Sequence, residues 1–226
     1  MKIELLEEVS STNDYIKKYL DGGEDVIVCA RRQTGGKGTK GRSFLSNEGG
    51  VYLSALTFYE NLPVQEAFKI MIHAATAVCK TAERFGVIPE IKWPNDVLVN
   101  GRKLCGILIE NNLSGGKVRS SVVGMGLNVR NDVSDLGGVA VSLAELLPMP
   151  LSMEEVRTVL IENYCNQTSF EEYVSYVRFL GKEISVIEND RTYSAVACRI
   201  LPDGRLEIEK NGEKRALSAA EISIRF

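Results

Sequence analysis

The chain has 226 residues, of which 44% are hydrophobic and 25% charged. That is enough for one domain, or one with a small appendage, and it excludes long disorder. A chain of this size buries roughly 70–75% of its unfolded surface and needs no disulfide or structural metal to be stable. Lys plus Arg number 27 and Asp plus Glu 30, a net charge of −3 that argues against a general nucleic-acid binder while allowing a local basic patch. The five cysteines, at 29, 79, 105, 165 and 198, include no Cys-x-x-Cys pair, which disfavours a disulfide framework and a zinc site. A single histidine, His73, leaves little for a His-based metal site or a Ser-His-Asp triad. The N-terminus carries dispersed charges unlike a signal peptide, and no apolar run is long enough to span a membrane, so the cytoplasm is the expected compartment.

In chain order, residues 2–9 read as a strand. Ser11-Thr12-Asn13-Asp14 then reads as a helix start, with Ser11 as N-cap and Asp14 completing a capping box. Tyr15, Ile16, Tyr19 and Leu20 follow at helical spacing, and Gly22-Gly23 end the helix. Val26–Ala30 is a continuous apolar run that predicts a buried strand, and Val51–Phe58 a second. Residues 64–85 carry the clearest helical pattern. Its apolar stripe is Val64, Phe68, Met71, Ile72, Ala75, Val78, Cys79 and Ala82; Lys69, His73, Thr76, Lys80 and Glu83 fall on the other face, which makes His73 a solvated residue. Strands are expected at 90–93, 96–100, 103–110 and 117–129, with Asn100-Gly101 as a hairpin turn. Helical patterns return at 152–165 and 169–179. From residue 180 the chain has short β-like segments around Pro202-Asp203-Gly204 and Asn211-Gly212, with eight basic and eight acidic residues, predicting a small β-barrel with no nucleic-acid role. The order of elements predicts an α+β domain with a β appendage.

Residues 31–42, RRQTGGKGTKGR, hold five basic residues, four glycines and no acid. Glycines let backbone N–H groups converge on an anion and lysines add charge; a mobile basic surface loop is the plainer reading. Gly36-x-Gly38-x-x-Gly41 matches the dinucleotide fingerprint, but no helix pattern follows to place its N-terminus beneath a pyrophosphate. The Walker and protein-kinase patterns are absent.

Lys92-Trp93-Pro94-Asn95-Asp96 reads either as a hairpin corner with Trp93 in the core, or as a cation and a carboxylate suited to nucleotide phosphates and Mg²⁺. Lys103 opens an apolar strand and is either a solvated hairpin lysine or a cation at the edge of a site. In the strand at 122–129, Gly124, Gly126 and Asn128 share one face while Val123, Met125, Leu127 and Val129 share the other. A flat glycine face fits close approach of a ligand or of a packed helix. The hydroxyls and amide of Ser11-Thr12-Asn13 serve as a cap or bind a small polar ligand.

Taken together, Ser-Ser-Thr-Asn at 10–13, Gln33-Thr34, the Gly-Lys-Gly-Thr-Lys-Gly-Arg loop at 36–42, Lys-Trp-Pro-Asn-Asp at 92–96, Lys-Leu-Cys-Gly-Ile-Leu-Ile-Glu at 103–110 and Gly-Leu-Asn-Val at 126–129 resemble the biotin–protein ligases over nearly the whole chain. The resemblance implies a class II synthetase-like catalytic domain at 1–179, with a mixed β-sheet and packed helices, and an SH3-like barrel at 180–226. It implies that biotin's carboxylate attacks the α-phosphate of ATP to give biotinyl-5′-AMP, which a lysine of a biotin carboxyl carrier protein then attacks. Two anions must meet, so cations and backbone donors would carry the catalysis, and no protein nucleophile is required.

By position, the resemblance makes Lys103 the first catalytic candidate, with Lys37 and Lys40. Ser11, Thr12, Asn13 and Gln33 would bind the biotin head, Gly36, Lys37, Gly38 and Thr39 would close over the intermediate, and Gly106 would leave room for biotin beside Lys103. Lys40, Arg42, Lys92, Asn95 and Asp96 would manage the ATP phosphates and Mg²⁺, with Asp96 as the metal ligand. Phe44 and Asn128 would contact the nucleotide. The sequence departs from the family's usual Gly-Arg-Gly-Arg-x-Gly-Arg at Thr39, which removes a bidentate cation and predicts looser retention of the adenylate. Phe44 stands where tryptophan is common, predicting weaker stacking on adenine. The matching strand begins at residue 2, so the ligase-only form without a DNA-binding domain is expected, and the resemblance implies a homodimer formed through the central sheet. A lipoate–protein ligase and a biotin sensor that no longer transfers are the alternatives.

Overall fold

The computed structural model describes residues 1–188, 191–218 and, as backbone, 222–225. Seven strands form one sheet: β1 (Lys2–Val9), β2 (Val26–Gln33), β3 (Val51–Pro63), β4 (Glu90–Lys92), β5 (Asp96–Val99), β6 (Arg102–Ser114) and β7 (Lys117–Leu127). Their order is β1-β2-β3-β7-β6-β5-β4. β1 runs parallel to β2 and the remaining neighbours are antiparallel, so the sheet is mixed, as expected. Asn100 and Gly101 take φ of 50° and 73° between β5 and β6, the pair of positive values that a type I′ hairpin turn demands.

Helix α2 (Phe68–Arg84) lies across one face of this sheet, with α4 (Met153–Cys165) and α5 (Phe170–Ser175) packed against it. Val78, Cys79 and Ala82 of α2 meet Ile107, Val123, Met125 and Leu127 in one core; full burial of each large aliphatic side chain contributes about 1.5–3 kcal/mol. The helix is shorter than expected, because Val64–Glu66 form a 3₁₀ turn ahead of it. Its polar face is also more covered than the spacing predicted. α4 packs over it, burying Thr76, whose hydroxyl has no partner among the described residues, and bringing His73 against Tyr164. His73 Nε2 meets the Tyr164 carbonyl, and burial holds the imidazole below its ordinary value. The expectation of a solvated His73 is thereby corrected: helical spacing gives a face, and tertiary packing decides what covers it.

The opposite face carries α1 (Thr12–Tyr15), which runs into a 3₁₀ turn at Ile16–Tyr19. Ile16 packs there on Val26, Val28, Leu56 and Val122 in a smaller apolar cluster. The expected capping box does not form: Ser11 has extended backbone and makes no side-chain cap bond. A short helix α3 (Leu143–Leu146) follows β7 and has the capping box that α1 lacks, between Ser142 and Glu145.

The C-terminal region is a five-stranded antiparallel sheet of β8 (Glu183–Glu188), β9 (Arg191–Ile200), β10 (Leu206–Lys210), β11 (Glu213–Leu217) and β12 (Ile222–Arg225), in the order β11-β10-β9-β8-β12. Among the described residues no pairing joins β11 to β12, so the expected barrel is seen as an open sheet. Nor is it an isolated appendage: Ile184, Val186, Ala197, Leu206 and Ile208 join the main core. Trp93 Nε1 donates to the Gly204 carbonyl at 2.8 Å, tying the β9–β10 turn to the Lys-Trp-Pro-Asn-Asp corner. Trp93 is buried, as the hairpin-corner reading expected. No described helix is long and apolar enough to cross a membrane.

Candidate active site

The pocket lies on the α1 face of the sheet, where β7 carries glycine instead of bulk. Gly106 of β6 and Gly126 of β7 are direct cross-strand partners, forming a step without side chains. Phe44 lies on that step: a Cβ at Gly126 would come within 2.5 Å of its ring, and one at Gly106 within 3.0 Å. Two residues back along β7, Gly124 leaves room for the Asn13 side chain, which a Cβ there would strike. Each flat position thus receives a side chain from the opposite layer, the close approach for which a strand glycine makes space.

Asn13 is one member of a polar chain across the pocket floor. Ser54 of β3, fully buried, donates to Asn13 Oδ1 at 2.6 Å and lies 2.8 Å from Thr12 Oγ1. Gln33 accepts from the Thr12 backbone N–H at 2.7 Å and its hydroxyl at 3.0 Å, while its own amide donates to Ser46 Oγ at 2.9 Å. Buried polar groups held in a connected network are rigid and present a fixed set of donors and acceptors. Ser46 and Ser54 escaped the sequence reading. Strand alternation places Ser54 on the α1 face, but one small hydroxyl in an apolar strand carries no other signal.

Two cationic elements frame this floor. Lys103 Nζ sits 2.7 Å from Asp96 Oδ1 and 5.6 Å from the centre of the Phe44 ring, held at the pocket edge. Asp96 reaches it because β5 pairs with β6, placing Asp96 opposite Gly106. The glycine loop forms the second frame. Phe44 N–H donates to Gly36 O at 2.8 Å and Gly38 N–H to Arg42 O at 2.6 Å, pinching the loop into a small hairpin. Arg42 is stapled to Thr39, donating to its carbonyl and its hydroxyl at 3.2 Å each. Lys37 Nζ reaches Asp14 at 2.6 Å, and the ammonium of Lys37 holds the Asp14 carboxyl below the usual carboxylate range.

Ser11, Thr12, Asn13, Gln33, Lys37, Gly38, Thr39, Arg42, Phe44, Asn95, Lys103 and Gly106 thus line one pocket, joined by Ser43, Leu53, Ile107, Leu108, Met125 and the two glycines of β7. Gly36, Lys40, Lys92, Asp96 and Asn128 stand outside that lining. Asn128 follows the end of β7 and is 3% exposed; it donates to the Lys103 carbonyl at 3.3 Å and accepts from Asn131. Burial pushes the Cys29 thiol up to about 12 and raises those of Cys79 and Cys105, which makes these three poor nucleophiles. The pocket is equipped to hold a polar head among fixed hydrogen-bonding groups and to set an anion between Lys103 and the loop.

The profile of the Biotin/lipoate A/B protein ligase family matches residues 5–128, which include the α1 start, the glycine loop, Lys103 and the glycine step. The chain belongs to that family. The biotin/lipoate ligase family fold extends beyond the matched segment. The biotin protein ligase from Aquifex aeolicus in complex with biotin and ATP superposes with a TM-score of 0.76 at 27% identity, covering 99% of this chain and 98% of that one. The bifunctional ligase/repressor BirA of Bacillus subtilis is 29% identical over 217 residues, 89% of this chain and 66% of the relative, so the chain spans just under two thirds of that protein's length. The biotin–[acetyl-CoA-carboxylase] ligase of Paracoccus denitrificans is 34% identical over 149 residues, 60% of this chain and 57% of the relative.

Proposed function

We propose that this protein activates biotin with ATP to give biotinyl-5′-AMP and transfers the biotinyl group to a lysine of a biotin carboxyl carrier protein or carboxylase carrier domain in the cytoplasm. The observation that carries this reading is one pocket lined by Lys103, by Lys37 of the glycine loop and by Thr12, Asn13 and Gln33 of the polar network. The biotin head suits that network, which offers donors and acceptors in fixed directions. The acid tail then points toward Lys103.

In the first step a carboxylate oxygen attacks the α-phosphorus, the bond to the β-phosphate bridge breaks, and pyrophosphate leaves with the electron pair. Both reactants are anions, so Lys103 and Lys37 act by offsetting their repulsion and the growing charge on the phosphate oxygens. Holding the two in line supplies much of the remaining acceleration. In the second step the carrier lysine, as a neutral amine, attacks the acyl carbon; an amide forms and AMP leaves. Lys40, Arg42, Lys92 and Asn95 are assigned to the phosphates, Phe44 and Asn128 to the nucleotide. Mg²⁺ binds such sites through one or two carboxylates plus substrate phosphates. The Asp96 carboxylate, held by Lys103 at the pocket edge, fits that donor set, and no cluster of three metal-ligating side chains stands among the described residues. Bound there, the ion would neutralise phosphate charge. The five-stranded C-terminal sheet is assigned to the SH3-like unit of 180–226, beside the biotin- and ATP-binding domain of 1–179.

Incubation with ATP, a biotin carboxyl carrier protein and either biotin or lipoate tests the assignment. Biotinyl-5′-AMP by mass spectrometry, and labelled pyrophosphate entering ATP with biotin alone, is the expected result. Exchange driven by lipoate alone would make the protein a lipoate ligase, and adenylate without carrier modification would make it a sensor.

A further inference from the structure

Asp14 stands three residues after Ser11, where a capping box would turn its carboxylate back to the start of α1. Ser11 makes no side-chain cap bond, and Asp14 faces the glycine loop instead. Its two oxygens lie 2.8 and 2.6 Å from Lys37 Nζ. Behind it, Lys17 Nζ is 3.3 Å from Asp14 and 2.8 Å from Glu110. The other Glu110 oxygen accepts from Asn13 Nδ2 at 2.9 Å. Charges therefore alternate from the loop to the pocket floor: Lys37, Asp14, Lys17, Glu110, then the Asn13 amide. Lys37 is also bridged through its backbone to Ser43 at the loop neck, so fixing its ammonium fixes the distal loop. The Glu110 contact keeps the Lys17 ammonium above its ordinary value, and the Lys37 contact keeps the Asp14 carboxyl below its own.

We infer that Asp14 is a positioning residue that latches the glycine loop over the pocket through Lys37, slowing escape of the bound intermediate. This rests on the proposed function only for what is retained; the latch itself needs only the contacts among Lys37, Asp14 and Lys17. The side chains of Lys37 and Asp14 are 49% and 39% exposed, so salt screens their attraction and the pair supplies a bias that a ligand can override. A latch of that strength slows loop opening by one modest factor, whether a substrate enters or the intermediate leaves.

The test compares the full-length protein with Asp14→Asn and Asp14→Glu. The first measurement is the rate of tryptic cleavage after Lys37, Lys40 and Arg42 without ligand, at low and high salt, relative to a reference peptide. The Asn variant should be nicked about two- to fivefold faster, the range an exposed ion pair supports, and should lose the salt acceleration of the wild type. The Glu variant should keep both the slower rate and the salt response. The second measurement is release of preformed biotinyl-5′-AMP, which should quicken by the same factor in the Asn variant while adenylate formation at saturating biotin and ATP stays unchanged. Equal nicking and equal salt response in wild type and the Asn variant overturn the latch, as does slowed adenylate formation without faster release. If the wild type forms no adenylate, the proposed function falls, and the cleavage rates alone decide the latch.

Discussion

The two faces of β7 have the same backbone and opposite chemistry. Val123, Met125 and Leu127 point into the helix layer and are all but fully buried there. Gly124 and Gly126 point the other way, onto Asn13 and the Phe44 ring. One face holds the fold together by area and volume, which tolerate exchange among similar shapes. The other contributes an absence of side chain, which lets groups from α1 and the glycine loop approach the sheet. The core and the site are thus one residue apart along the chain, yet substitutions on the two faces should fail in different ways.

The largest effect belongs to the pocket face. Lys103→Ala should lower the rate of adenylate formation by roughly 10²–10³-fold, the size of losing one group aimed at developing charge, with the melting temperature nearly unchanged because Lys103 is half-buried at the pocket edge. Pyrophosphate exchange and a thermal melt read both sides of that statement. On the core face, Leu127→Ala should cost about 2–5 kcal/mol of stability, read by urea denaturation, while the folded fraction keeps its turnover. Gly126→Ala sharpens the comparison. The added methyl meets the Phe44 ring at 2.5 Å, and overpacking of this kind costs about 1–3 kcal/mol. The ring lines the pocket, so its displacement should weaken binding of biotin by calorimetry more than it lowers stability.

The smallest effect lies on the helix face, at His73. Burial lowers its affinity for a proton relative to the unfolded chain, where the ordinary value is 6.5. Unfolding therefore takes up a proton as pH falls below that value, and stability declines from there until the folded-state value is passed. His73→Gln should flatten this part of the pH–stability profile, measured as urea midpoints between pH 7.5 and 5.

The Asn100-Gly101 turn, the alternation of β7 and the helix over 68–84 were legible because local rules govern them: positive φ, a period of two, a period of 3.6. The basic glycine loop was legible as composition. Asp14 misled because its local grammar is that of a cap, while a lysine 23 residues away provides its partner. Ser54 and Ser46 were missed because a buried hydroxyl acquires meaning only from what it bonds. His73 was assigned to water because periodicity identifies a face and says nothing of α4 arriving on it.

By itself, the sequence determined the type and order of most strands and helices, which glycines are bare and which motifs carry charge, because these depend on neighbours within a few residues. Only the tertiary structure decided that Lys103 pairs with Asp96, that Phe44 lies on the glycine step, and that Lys37 is held by α1. Those contacts depend on how the sheet brings distant segments within a few ångströms, and hydrogen bonds and ion pairs act only at that range.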